Sequence, residues 1–246
     1  MKKQRADTLL VERGLVESRA RAQALVLAGE VFSGERRVEK AGEMLAADAP
    51  LRVREGLKYV SRGGLKLEAA LDALAIEVAG KRCVDLGAST GGFTDCLLQR
   101  GASHVIAVDV GRGQLAEKLR TDARVTVVDE TNARALEPAQ LGAPVQVVTA
   151  DLAFISLRLV LPAIRELLEP GGLAVLLVKP QFEVGKGQVG KGGVVRDPEL
   201  RRQALESVAG AAAELGFERV GHVESPVPGP AGNVEWLLCL RRPPIG

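Results

Sequence analysis

The sequence predicts an α/β protein: a mostly parallel, doubly wound sheet ending in an antiparallel hairpin, preceded by a small α+β module. Three observations predict it. Five apolar runs, Arg82 to Asp85, Val105 to Asp109, Val125 to Asp129, Val145 to Asp151 and Leu173 to Lys179, alternate with helical segments, the rhythm of parallel strands joined by crossover helices. Two further strand-like stretches, near Arg219 to Glu224 and Val234 to Leu240, are joined by Ser225 to Asn233. That connection is too short for a crossover helix, so they pair antiparallel. The chain before residue 57 is divided more finely, into short helices and short strands.

Taken in order, Leu9, Leu10 and Arg13 lead to a stop at Gly14, and Ser18 caps a second helical run with Ala22, Leu25 and Val26 on one face and Gly29 at its end. Strand-like pieces follow at Val31 to Ser33, Arg36 to Val38 and Leu51 to Val53, parted by Gly34 and by Ala41-Gly42-Glu43. The expected division is a module over 1–56, a linker over 57–60 and a second domain over 61–246. A helix from Leu65 to Ala75, with Leu67, Ala70, Leu71 and Leu74 on one face, precedes the first parallel strand. After Lys179 the rhythm changes to a glycine-rich stretch, Gly185 to Gly193, and a helix from Pro198 to Leu215.

Composition excludes several function classes. Of 246 residues, 46% are hydrophobic and 26% charged, the balance of a chain that folds around a core. No stretch approaches the ~18 apolar residues of a membrane span; even Phe154 to Ile164 carries Arg158 and Pro162. Met1 to Asp7 leads into no signal-peptide segment, so the expected location is cytoplasmic. Cys83, Cys96 and Cys239 are odd in number and widely spaced, which fits neither a disulfide framework nor a zinc site, and no metal is expected. With His104 and His222 the only histidines, the chemistry must rest on lysines and carboxylates. Residues 1–62 hold 13 Lys+Arg against 9 Asp+Glu, leaving 20 against 22 for the remainder. A weakly basic head on a near-neutral body hints at an acidic polymer as its partner.

Asp85-Leu86-Gly87-Ala88-Ser89-Thr90-Gly91-Gly92-Phe93 follows a strand and opens a helix, which places it at the carboxyl edge of the sheet, where doubly wound folds bind ligands. A dinucleotide site calls for G-x-G-x-x-G; this loop reads G-x-x-x-G-G. Asp85 suits a cationic neighbour better than a diphosphate, Asp109 can accept from ribose hydroxyls, and Asn132 can read an adenine edge. Asp85, Gly87, Ser89, Thr90, Gly91, Gly92, Phe93, Asp109, Asn132 and Asp151 are therefore the candidate cofactor residues. Gly185 to Lys191 matches a phosphate-loop spacing, but Gly192 stands where Ser or Thr should bind magnesium. That segment suits instead a lid over an anionic substrate, with Lys186 and Lys191 as contacts, or a mobile surface loop.

Lys66, Asp151, Lys179 and Glu235 are charged residues at the helix before the sheet, after the fourth and fifth strands and on the last strand. In context, Ser61-Arg62-Gly63-Gly64-Leu65-Lys66-Leu67, Asp85-Leu86-Gly87, Thr149-Ala150-Asp151, Val178-Lys179-Pro180-Gln181-Phe182-Glu183 and Gly232-Asn233-Val234-Glu235-Trp236 resemble the TlyA (hemolysin A) branch of the FtsJ-like RNA methyltransferases. The resemblance runs through nearly the whole chain. It implies a Rossmann-like class I methyltransferase sheet, S-adenosylmethionine as cofactor, and methylation of a cytidine ribose 2′-hydroxyl in ribosomal RNA. It also implies a catalytic tetrad of Lys66, Asp151, Lys179 and Glu235. A ribose hydroxyl is a weak nucleophile whose proton must leave in the transition state. Lys179 can accept that proton only as a neutral amine, with Asp151 and Glu235 orienting it and Lys66 positioning the ribose.

The head resembles the RNA-binding module of the ribosomal protein S-four type through Arg5-x-Asp7, Gly14, Ser18-Arg19, Ala22, Leu25-Val26, Ala28-Gly29-x-Val31 and Gly34. Phe32-Ser33-Gly34 stands where that pattern has Val-Asn-Gly. Arg5, Arg19, Arg36 and Arg37 are the candidate phosphate contacts, and at 3% aromatic residues base stacking is a minor mode. The expected partner is ribosomal RNA or a ribosomal subunit, with neither DNA nor a membrane. Three other functions compete. A membrane-active hemolysin needs a spanning or amphipathic element that the chain does not offer. An RNA-binding protein with an inactive methyltransferase fold sits badly with an intact loop and tetrad, and a dehydrogenase with the loop spacing.

Overall fold

The structure is a computed structural model describing residues 3–53, 58–185 and 187–244. The chain divides into two compact units, Met1–Lys58 and Tyr59–Gly246.

The first unit contains β1 (Lys3–Arg5), α1 (Ala6–Glu12), α2 (Arg19–Ala28), β2 (Val31–Ser33), β3 (Arg36–Arg37), β4 (Met44–Ala46) and β5 (Leu51–Val53). Both helices have the expected stops. Ser18 Oγ accepts from the Arg21 N–H at 3.2 Å, and Gly29 ends α2 in the left-handed conformation. Their apolar faces meet β2 and β4 in a small core of Leu9, Leu10, Ala22, Val26, Val31 and Leu45. β3, β2 and β5 form one antiparallel sheet, and β1 pairs with β4 in a second that the apolar pattern did not announce. Lys3-Gln4-Arg5 has no apolar residue, so its strand exists through the backbone ladder alone and leaves no alternation to read. Asp7, fully buried on α1, ties the unit together. It accepts from Arg5 Nε (3.0 Å) and Nη2 (2.8 Å), Arg19 Nη2 (3.2 Å) and Gln23 Nε2 (3.2 Å). The Arg5 hydrogen bond holds its carboxyl well below the usual range, against the opposing effect of burial.

The second unit begins inside the expected linker. Tyr59 is buried, its hydroxyl donates to Glu68 at 2.9 Å, and the Val60 N–H donates to Asp95 Oδ2 at 2.8 Å; Leu57 lies outside the described residues. In chain order come α3 (Gly63–Ala73), β6 (Arg82–Leu86), α4 (Gly92–Gln99), β7 (His104–Val108), α5 (Glu117–Arg120), β8 (Val125–Val128), α6 (Pro138–Leu141), β9 (Val145–Ala150), α7 (Leu161–Leu167), β10 (Leu168–Val178), α8 (Pro180–Glu183), α9 (Pro198–Glu214), β11 (Glu218–Glu224) and β12 (Trp236–Arg241). They build a seven-stranded sheet in the order β11-β12-β10-β9-β6-β7-β8, parallel from β10 to β8. β12 runs antiparallel to both β10 and β11. β10 starts before the expected Leu173 because an irregular stretch around Gly171 carries it back to Leu168 with a register shift.

The central strands read as continuous apolar runs because helices cover both faces. Val84, Leu86, Val148 and Leu176 face one core with Ile164 of α7 and Val208 of α9; Cys83, Val147 and Val175 face the other with Leu67 and Leu71 of α3 and Leu97 of α4. The chain leaves β6 toward β7 on one side while β9 lies on the other. This is the topological switch point at which a crevice opens beyond the strands' carboxyl ends.

Replacing Asp7 with Ala is expected to destabilise the first unit by about 2 kcal/mol through loss of its charge-assisted hydrogen bonds. The measurement is amide exchange on the intact chain, in which protection of α1 and α2 falls while that of β6 and β9 is unchanged. Because the Asp7 carboxyl titrates lower in the folded chain, its contribution is fully present above the unfolded value of about 4 and fades as pH falls below it. An unaltered exchange pattern in the helices would refute the role of Asp7.

Candidate active site

The loop Gly87 to Phe93 separates two cavities at the switch point. One of 360 Å³ is lined by Ser61, Arg62, Lys66, Thr90, Gly92, Phe93, Lys179 and Pro228 among others. The second, of 500 Å³, is lined by Val108, Asp109, Gln114, Asn132, Leu152 and Ile155 among others. Gly87, Ser89, Asp151 and Ala153 border both. The loop fits there because two glycines are obligatory. Gly87 adopts φ +77, and a Cβ on it would stand 2.6 Å from the Asp151 carbonyl oxygen. A Cβ on Gly92 would collide with Ser61 Oγ and stand 2.9 Å from the Gly64 nitrogen. Through Gly92 the loop packs directly against the start of α3, which carries Lys66.

The four charged candidates come together at this edge in two pairs. Lys179 Nζ is 2.6 Å from Asp151 Oδ1, and both groups border the first cavity. Lys66 Nζ is hydrogen-bonded to Glu235 Oε2, deeper in the protein, where the Glu235 side chain is 0% exposed. Glu235, expected to help orient Lys179, is thus engaged by Lys66 instead. Its other oxygen, Oε1, is buried without a hydrogen-bond partner among the described residues and lies against Gly229 in the β11–β12 connection.

The remaining loop candidates fall into three groups. Ser89, Thr90, Gly92 and Phe93 line the first cavity, and Asp109 and Asn132 the second. Asp109 accepts from the backbone N–H groups of Ser89 (2.8 Å) and Gly111 (2.7 Å), and Asn132 Oδ1 accepts from Arg134 N–H at 3.0 Å. Gly91 caps α4 from beneath, against Leu115. Asp85 does not reach either cavity. It is completely buried and accepts from Thr94 Oγ1 at 2.7 Å and Thr149 Oγ1 at 3.0 Å, so its carboxylate braces β6, β9 and α4 rather than facing a cationic ligand. Burial pushes its carboxyl up to about 6, and the two threonine hydroxyls oppose that shift.

In the first unit, Arg5, Arg19 and Arg36 already hold carboxylates, the last donating to Glu43 at 2.5 Å, while Arg37 is exposed. Lys191 is exposed on the glycine-rich segment, and Lys186 lies outside the described residues. Sequence reasoning gave no role to Arg62, Gln114, Thr149, Glu183 or Asn233. Arg62, Thr149, Glu183 and Asn233 lie within the motifs that carry Lys66, Asp151, Lys179 and Glu235, which is the signal that points to them. Asn233 is buried and accepts from the Val195 N–H at 2.9 Å while donating to the Gly193 carbonyl at 2.8 Å, pinning the glycine-rich segment two residues before Glu235.

Comparison with known proteins places this geometry. The FtsJ-like methyltransferase family matches residues 59–242, and the S4 domain matches residues 4–49. The 16S/23S rRNA (cytidine-2′-O)-methyltransferase TlyA of Mycobacterium tuberculosis is 54% identical over 239 residues, covering 96% of this chain and 89% of that protein. A Brachyspira hyodysenteriae protein named hemolysin A is 40% identical, covering 95% of this chain and 98% of its own. Among solved structures, a Streptococcus thermophilus protein described as a hemolysin matches with TM-score 0.75 and 43% identity, covering 99% of this chain and 90% of that one. An S-adenosylmethionine-dependent methyltransferase of Mesorhizobium loti, 19% identical, shares the fold at TM-score 0.52 over 71% of this chain and 96% of its own. Among the described residues no helix is long and apolar enough to cross a membrane.

The buried Asp85 yields a signed pH dependence. Its carboxyl rises from 3.8 to about 6 on folding, so its contribution to stability is full below pH 4 and is lost as pH rises through 6. Replacing Asp85 with Asn keeps an acceptor for one threonine and removes the buried charge. The variant is expected to gain on the parent between pH 4 and pH 7, by about 3 kcal/mol at most. Melting midpoints of both proteins across that range test this; a gap that does not change with pH would contradict it.

Proposed function

This chain belongs to the FtsJ-like methyltransferase family and carries an S4 domain, and from that premise we propose that it transfers a methyl group from S-adenosylmethionine to the 2′-hydroxyl of a cytidine ribose in ribosomal RNA. The observation that carries the reading is the Lys179–Asp151 pair bordering a cavity that also holds Lys66 and the glycine loop. The substrate assignment rests on the relative of 54% identity, whose name states that chemistry.

The residues present suit the cofactor. Asp109 offers carboxylate lone pairs to ribose hydroxyls, Asn132 an amide to an adenine edge, and Val108, Leu152 and Ile155 an apolar wall for the ring. When bound, S-adenosylmethionine supplies an activated methyl group on a sulfonium centre. Every other step belongs to the chain. Arg62 draws the anionic substrate toward the first cavity. Lys66, its own charge balanced by Glu235, holds the ribose. Lys179 Nζ removes the proton of the 2′-hydroxyl, and Asp151 keeps that amine in one orientation. Pairing Glu235 with Lys66 gives each lysine its own carboxylate, so the two amines are oriented independently. In the S4 domain, Arg37 and the exposed faces of Arg5, Arg19 and Arg36 serve as phosphate contacts, and Lys191 serves the same purpose on the second domain.

Lys179→Met should lower methyl transfer to ribosomal RNA by at least about a hundredfold, while calorimetric affinity for S-adenosylmethionine changes little. Retained turnover would remove Lys179 from the role of base. Arg37→Ala and Lys191→Ala should each weaken RNA binding across sequences and make the slope of log affinity against log salt shallower by about 1. An unchanged slope would exclude the residue concerned as a phosphate contact.

A further inference from the structure

The ladder between β9 and β10 ends at Ala150 and Leu176. Beyond that point no β9–β10 pairing joins the two segments directly: the Asp151 N–H donates to the Leu86 carbonyl of β6 at 3.0 Å, and Lys179 follows Val178, which pairs with Trp236 of β12. Glu183 joins those two segments. It closes α8, one turn beyond Lys179, and its carboxylate is buried. Glu183 Oε2 accepts from Ser156 Oγ at 2.6 Å, Oε1 accepts from the Leu157 N–H at 2.7 Å, and Arg158 Nε lies 3.6 Å away. Ser156 Oγ in turn accepts from the Arg158 N–H at 3.3 Å, which locks the turn that ends the loop after Asp151.

The other end of the clamp is equally short. Lys179 is the N-cap of α8, Pro180 fixes the first helical φ, the Phe182 N–H donates to the Lys179 carbonyl at 2.9 Å, and the Val184 N–H donates to that of Pro180 at 3.0 Å. A movement of Glu183 is thus transmitted to Lys179 through one rigid turn. Burying a carboxylate is costly unless it is fully bonded. Here burial pushes the Glu183 carboxyl up, against the bonds from Ser156 and Leu157, so its place depends on those two bonds.

We propose that Glu183 is a positioning residue for methyl transfer: by fastening the loop after Asp151 to the turn after Lys179, it sets the separation and direction of the Asp151–Lys179 pair. The proposal rests on the reading of Lys179 as the base. Glu183 touches neither cavity, so its loss acts on the chemical step and leaves the binding surfaces in place.

The test uses the full-length chain with S-adenosylmethionine and ribosomal RNA. Glu183→Ala should lower kcat at saturating substrates by about thirtyfold, the scale of a misplaced catalytic group, with KM for both substrates within about threefold of the parent value. Glu183→Gln keeps the shape and one acceptor but loses the charge and sets an NH2 group against Ser156; a kcat decrease of at least about fivefold is expected. Ser156→Ala combined with Glu183→Gln should be no slower than Glu183→Gln alone, since both remove one bond. If Glu183→Ala does not fold, the Gln variant decides. A kcat within twofold of the parent in the folded Gln variant, or losses that only follow the folded fraction, overturns the proposal. An inactive Lys179→Met beside an unimpaired Glu183→Gln sinks the clamp and leaves the base assignment standing. An active Lys179→Met sinks both.

Discussion

Two lysine–carboxylate pairs gathered at one edge of one sheet constrain the arrangement of the methyltransferase unit. A buried ammonium or carboxylate without its partner costs several kcal/mol, so Lys66 and Glu235 can lie deep only together. Their four residues come from widely separated parts of the chain, and only one topology brings them to a point. Asp151 and Lys179 follow the carboxyl ends of parallel strands β9 and β10. Glu235 precedes the first residue of β12, which stands opposite Val178. A residue before a strand reaches that same edge only if the strand runs the other way, so the antiparallel β12 is what makes the Lys66–Glu235 pair possible. Its insertion between β10 and β11 buries it and keeps it from fraying.

The pairs also divide labour by exposure. Lys66 and Glu235 are nearly inaccessible, whereas Lys179 and Asp151 are 13% and 25% exposed and open on the cavity. A group that exchanges a proton with a substrate must be reachable, and a carboxylate that only balances a lysine, as Glu235 does, need not be. The geometry gives Lys179 the more open position of the two lysines.

Much of this was legible in the sequence, for a physical reason. The alternation of apolar runs and helical segments reports which surfaces are covered, so the five parallel strands, the closing hairpin and the glycine loop could all be read locally. The four charged residues stood out as a set, on a helix and beside strands where burial or cleft exposure is expected, and through the motifs around them. What stayed hidden depends on partners distant in the chain. Nothing near Asp85 says that Thr149 will meet it across the sheet, so it reads as a ligand residue when it is a buried brace. Nothing near Glu235 says which lysine it will hold. Lys3 to Arg5 is a strand only because Met44 to Ala46 lies beside it, and Tyr59 looks like linker until Glu68 and Gly64 are placed around it. The arginines of the first unit carry the same lesson. Composition marks them all as phosphate contacts, but Asp7 already draws on Arg5 and Arg19 to hold its own buried charge. A basic residue in so small a module must serve the core and the surface together.

Charge is finally sorted across the glycine loop in a way that matches two unlike ligands. Three carboxylates surround it, and each is partnered by a different chemistry: Asp85 by two hydroxyls, Asp109 by two backbone N–H groups, Asp151 by the side-chain amine of Lys179. The hydroxyls and amides bring no formal charge, so the second cavity keeps a net negative carboxylate in Asp109. The first cavity is lined by Arg62, Lys66 and Lys179 beside the carboxylate of Asp151, with Glu235 behind Lys66 balancing it. A cationic small molecule is favoured on one side and a polyanion on the other, with Asp151 bordering both. If the two cavities carried the same sign, the ligand that bound first would repel or exclude its partner. With opposite signs, each side favours a different ligand, and Gly87, Ser89, Asp151 and Ala153 border both.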